Sequence, residues 1–359
     1  MIYIKYSIIF LFFVFTITNA KEPLAAFKLD SLWYVIDDEG LTMLNPLTIK
    51  SISAYSEGYF LVKFDYKGQP KQGFMTMDGQ VAMLDFDEVR PFKEGMAAVG
   101  KKIDITADSS LTYYGYINNK GEMPIKPIYL EAFDFSDSLA WVMNFEKRGY
   151  IDKNGLFNIE YVGNLGFGNS FSNGFAAFVN DSIRFGYIDK NGKVVIDFRF
   201  DEAGDFVEEM AKVNNLGFWG YIDKKGQLIV KHSYDFANNF SEGFAFVGIP
   251  DTNMASQKWS LIAKSGARMF DFKYNDIRNF SEGMACVALG RLWKFIDPQD
   301  NQLINELFYY ADSFKNGLAF VIKLDQKSMG FINPLGEMMV EIPVDASEVI
   351  DLRWNRKVK

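Results

Sequence analysis

The chain has 359 residues, 46 acidic against 38 basic side chains, and a single cysteine and a single histidine. A net charge of −8 argues against nucleic acid and anionic lipid as partners. One cysteine excludes any intrachain disulfide, and one histidine excludes a multi-histidine metal site within the chain.

The first twenty residues read as a secretory signal peptide. Lys5 gives the positive start, residues 8–17 form an apolar run shorter than a membrane span, and Thr18-Asn19-Ala20 is a small-residue cleavage site. Cleavage would leave residues 21–359 as an exported chain, periplasmic, outer-surface or secreted, with no transmembrane helix. No cysteine stands near the cleavage site, so lipid attachment there is excluded.

Residues 21–343 repeat themselves. The phrase Gly-Tyr-Ile-Asp-Lys-Asn-Gly stands at 149–155 and again, unchanged, at 186–192, with looser copies from Tyr34, Gly73, Gly115, Gly220, Ser260, Lys294 and Gly330. A second phrase, Phe-x-x-Gly-x-Ala-x-Val, is clearest at 92–99, 240–247, 280–287 and 314–321. Its starts are spaced 34 to 43 residues apart. Such self-similarity is the mark of a repeat architecture.

Each unit has two arms. From the turn glycine to the next Phe the spacing is constant, 14 residues from Gly192 to Phe206, from Gly226 to Phe240 and from Gly266 to Phe280. From the Phe to the next Gly-Tyr phrase it varies, reaching 23 residues between Phe92 and Gly115 and 20 between Phe240 and Ser260. The added residues fall at one loop position, and insertions in repeats collect on one face, often the binding face. The two long loops, residues 101–113 and 250–258, are therefore the candidate contact surface, with Lys101, Asp104, Asp108, Tyr113, Asp251 and Asn253 as candidate binding residues.

Gly-x-Ala-x-Val alternates and predicts a strand; Gly-Tyr-Ile-Asp predicts a second, Asp-x-x-Gly a turn, and the following apolar run a third. Alanine is a poor strand former, so its recurrence at Ala97, Ala140, Ala176, Ala211, Ala245, Ala285 and Ala319 implies a close approach, most simply between neighbouring strands.

Trp219-Gly220-Tyr221-Ile222-Asp223-Lys224-Lys225-Gly226 carries the full signature of the WG-repeat (KWG-repeat) family of bacterial proteins, which the chain resembles over roughly residues 30–342. After Trp259 and Trp293 the glycine is replaced by Ser260 and Lys294. The resemblance implies a structural repeat and no common activity, so it names no active site. The expected fold is all-β, tandem β-hairpin repeats stacked in an open curved array, because both ends carry the same Gly-Tyr half-unit. The alternative is a closed β-propeller of about eight blades. Residues 344–359 are expected to form a C-terminal cap or a frayed basic tail.

Chemical constellations are sparse. His232 lies in ordinary repeat sequence, and Cys286 follows Ala285 in an expected strand, where packing is the natural role. Asp152 and Asp189 open turns that resemble the start of a calcium loop, but the liganding carboxylate is replaced by Tyr161 and Phe198. Asp201, Glu202 and Asp205 read as loop charge. No cofactor is expected. The expected function is an exported, non-enzymatic binding scaffold for an unidentified protein or cell-envelope glycan. Alternatives are a cell-envelope polysaccharide-acting enzyme using paired carboxylates and a structural spacer in an envelope assembly.

Overall fold

The computed structural model describes residues 22–37, 41–43, 49–106, 108–163, 166–252 and 256–358. The expected signal peptide and Asn253 lie outside the described residues. The described secondary structure is entirely strands and turns, arranged as antiparallel sheets of hairpin repeats. The chain divides into two compact units, one formed by residues up to Tyr161 together with those from Ala346 onward, the other by Val162–Asp345.

In the first unit, three successive sheets are simple four-stranded meanders, such as Glu131–Ala132, Ala140–Met143, Arg148–Ile151 and Phe157–Tyr161. Its remaining sheet joins the two ends of the chain. Ala25–Leu29 pairs on one side with Leu32–Ile36 and on the other with Glu348–Asp351, which carries Arg356–Lys357 at its edge. The C-terminal residues are tied into this sheet by an ion pair between Arg353 and Asp351, 2.6 Å apart and both buried. One sheet of the first unit is thus supplied jointly by the two ends of the chain. The sequence concealed it because Ala25–Leu29 and Glu348–Asp351 lie outside the recognisable phrases.

In the second unit the meander recurs as Phe167–Gly168, Phe175–Val179, Phe185–Asp189 and Val194–Phe200, then as Glu202–Ala203, Met210–Asn215, Phe218–Asp223 and Leu228–Tyr234. Phe236–Ala237, Phe244–Asp251 and Ser256–Ala263 follow as three strands, and residues 276–342 contribute a seven-stranded sheet.

The core lies between consecutive sheets. Tyr187 and Ile196 of one sheet share a buried cluster with Phe206, Ala211, Val213 and Ile222 of the next. Tyr221 and Val230 do the same with Phe240, Ala245 and Val247. The recurrent alanine is fully buried in these clusters, so the close approach it serves is between one sheet and its neighbour rather than between strands of one sheet.

The glycine of the Gly-Tyr phrase has an equally specific cause. A Cβ on Gly220 would stand 2.4 Å from the carbonyl oxygen of Val230, and one on Gly149 2.0 Å from that of Ile159. The fourth strand crosses the phrase so closely that only glycine fits. Where serine replaces it, at Ser260, the sheet stops at three strands; at Lys294 the next strand is in ladder register only at the Trp293–Phe308 pair.

Candidate interaction surface

Each meander has two ends. At one, the turn end, lie the Phe-x-x-Gly and Asp-x-x-Gly turns. At the other, the tip end, lie the hairpin between the two central strands and the crossover to the next sheet.

The turn end consumes its own polar groups. Ser241 and Phe244 close a two-residue turn with Glu242 at φ +53° and Gly243 at φ +86°. A left-handed glutamate is unfavourable by itself, and its carboxylate supplies the compensation. Glu242 accepts hydrogen bonds from the backbone N–H of Glu282 at 2.7 Å and Gly283 at 2.8 Å, in the turn of the next repeat. Glu208 does the same for the N–H groups of Glu242 and Gly243, at 2.5 and 2.9 Å, and Glu282 for that of Gly317 at 2.9 Å. In the first unit Glu57 accepts from Gly95 and Glu94 from Ser138. The serine beside the glutamate reinforces the link: Ser56 donates to the carbonyl of Phe92 and Ser241 to that of Phe280. The phrase tyrosines reach across in the same way, Tyr187 to the carbonyl of Gly204 and Tyr221 to that of Asn238. Burial raises both phenols.

The calcium-like turns are also self-satisfied. Asp152 Oδ1 accepts from the N–H groups of Asn154 and Leu156, and Asp189 Oδ1 from those of Asn191 and Lys193. These carboxylates set the shape of their own turns. Cys286 is fully buried, which pushes its thiol far up.

The tip end is different, and all the expected binding residues that are described belong to it. Lys101, Asp104, Asp108 and Tyr113 share one hairpin of the first unit, in which Met96–Thr106 pairs with Ser109–Asn118 and Lys101 faces Tyr113. The insertion lengthens both strands instead of forming an irregular loop. Lys101 Nζ donates to the carbonyl of Asp85 at 2.9 Å, and Asp104 and Asp108 are exposed. Asp251 ends the corresponding lengthened strand of the second unit, where it is buried 3.4 Å from Lys258 Nζ.

The tip end also carries residues that the sequence reading missed. Ile183 and Leu216 stand at the apices of consecutive hairpins of the second unit, 69 % and 87 % exposed. Asp201 fixes both: one carboxylate oxygen pairs with Arg184, and the other accepts the N–H of Leu216 at 2.6 Å. Of the acidic trio, Asp201 is thus a strut between two tips. Asp205 is half-buried; burial raises its carboxyl against the pull of Lys212. The signal for the apices was present, since each puts a bulky apolar residue where a tight turn normally takes asparagine or glycine.

Five segments match the family model described as WG containing repeat, at residues 81–102, 114–144, 185–217, 219–249 and 259–293. No curated protein sequence matches the chain. Among solved structures, one described as the eukaryotic initiation factor is similar with a TM-score of 0.60 and 10 % identity, over 90 % of this chain and 96 % of that one. BamB from Moraxella catarrhalis is similar with a TM-score of 0.45 and 12 % identity, over 86 % of this chain and 98 % of its own. At such identity the first of these likenesses is one of fold alone.

Proposed function

From the premise that the chain is built of WG-containing repeats, we propose that it is an exported, non-enzymatic interaction scaffold that engages a protein or cell-envelope glycan through the tip end of its sheets. One observation carries the reading: the length variation falls at the tip end, where Ile183 and Leu216 are exposed, while glutamates of the turn end are taken up in joining one repeat to the next. Tips tolerate change because their backbone bonds close within the hairpin.

The test is a loop swap in the full chain. Residues 250–258 are replaced by the short tip found at residues 214–219, and the variant is used to capture partners from envelope extract. The expected result is loss of a captured component with an unchanged circular dichroism spectrum and melting temperature. Undiminished capture by the folded variant would remove the tip end from consideration.

A further inference from the structure

We propose that the opening-strand edge of the second unit binds a neutral sugar, held by Asp205, Asn239 and Asn279. This site lies away from the tips and does not rest on the reading of them.

The opening strands of successive sheets carry one position in varied polar chemistry. Asp205 follows Glu202–Ala203, Asn239 follows Phe236–Ala237, and Asn279 lies in Asp276–Ser281. Each stands one residue before a buried phenylalanine, Phe206, Phe240 or Phe280. Ser170 and Ser313 hold the position in the flanking repeats, before Phe171 and Phe314. The position is thus short and polar in successive repeats, although the residue beside it is core.

Contacts between neighbours make the row continuous. Asn238 Nδ2 donates to Asn279 Oδ1 at 3.0 Å, and Ser313 Oγ to the Asn279 carbonyl at 3.3 Å. On the other side Gly204 leaves the room: a Cβ there would stand 2.8 Å from Lys212 Cγ and 3.6 Å from Asn239 Oδ1.

The polar groups of the row are aimed, and the fold gains nothing from two of them. Asp205, Asn239 and Asn279 are all partly exposed. Asn238 takes up Asn279 Oδ1, which turns the Asn279 Nδ2 outward. Asn239 Oδ1 is buried with no hydrogen-bond partner, which leaves its Nδ2 as the solvent-facing atom of that amide. The Asp205 carboxylate accepts no hydrogen bond among the described residues; burial raises it, and Lys212 opposes that through space. An unpaired buried acceptor and a half-buried carboxylate each cost stability. Two such costs at one position of adjacent repeats mark a site kept for a ligand.

The chemistry of the row selects that ligand. The Asp205 carboxylate needs a donor and repels an anion. The two outward amide groups need acceptors and repel a metal cation. So does the Lys212 ammonium, which donates to the Ala237 carbonyl at 2.8 Å. The row carries no apolar side chain of the kind that anchors a peptide. A hydroxyl donates and accepts through one atom, so neighbouring hydroxyls of a sugar answer the carboxylate and the amides together.

The test is saturation-transfer difference NMR on the full chain with four single compounds: the methyl α-glycosides of glucose, mannose and galactose, and N-acetylglucosamine. At least one is expected to give a saturable signal. Asp205→Asn should weaken that binding about tenfold while raising the melting temperature, and Asn239→Ala should weaken it by a similar factor. A residue that only held the fold together would not move affinity and stability in opposite directions. Absence of saturable binding by all four sugars would overturn the proposal, as would undiminished binding by both folded variants. A melting temperature raised by millimolar calcium in the wild-type chain and not in Asp205→Asn would mark a cation site and overturn it equally.

Discussion

At the scale of single residues, the repeat is enforced by groups that admit few substitutes. A methyl group on Gly220 would press on the Val230 carbonyl, so Gly220→Ala should destabilise the chain by about 1–3 kcal/mol in urea unfolding. The glutamate links have a pH signature. Burial pushes the Glu208 carboxyl up, but the Gly243 N–H, the Lys264 ammonium and the Glu242 N–H outweigh it and hold it below its ordinary 4.5. A carboxyl depressed on folding adds stability above its unfolded value and loses it as pH falls through the lower folded one. Glu208→Gln should therefore cost stability at neutral pH, with the gap in melting temperature closing as pH drops below 4.5. Asp205 has the opposite sign. Its raised carboxyl favours folding only while protonated, so Asp205→Asn should raise the melting temperature at neutral pH, the difference vanishing below 3.8. The substitutions at Ser260 and Lys294 were visible in the sequence; that they thin the pairing with the next strand was not, because the glycine they replace answers to a carbonyl from a strand some ten residues away.

At the scale of elements, the two central strands of each sheet were legible from alternation and phrase. Several opening strands were not, since pairs such as Glu131–Ala132, Glu202–Ala203 and Phe236–Ala237 are too short to show any period. The position of the insertions was legible, but their form was not: residues 101–106 and 109–113 continue the ladder of their hairpin. The alanine rule could be read as a demand for space, without revealing which partner made it. Ala245→Leu would crowd Tyr221 and Val230 of the preceding sheet and should cost about 1–3 kcal/mol in thermal or urea unfolding.

At the scale of the whole molecule, the sequence showed an all-β repeat protein and concealed how its ends are treated. Pairing of Ala25–Leu29 with Glu348–Asp351 joins segments more than 300 residues apart, which no local pattern can announce. The join is anchored by Arg353 against Asp351, both out of solvent. Arg353→Ala would take the guanidinium away from a buried carboxylate, and a loss of about 3–5 kcal/mol is expected. Calorimetry of that variant, beside an Arg353→Lys control, measures how much of the fold depends on the C-terminal strand.

The glutamate links also have a direction. In every pair described, the carboxylate belongs to the earlier repeat and the N–H groups to the later one. A chain made from its N-terminus thus offers each new turn an acceptor on a repeat that has already emerged. In that order of emergence, each carboxylate stands ready before the N–H groups it accepts.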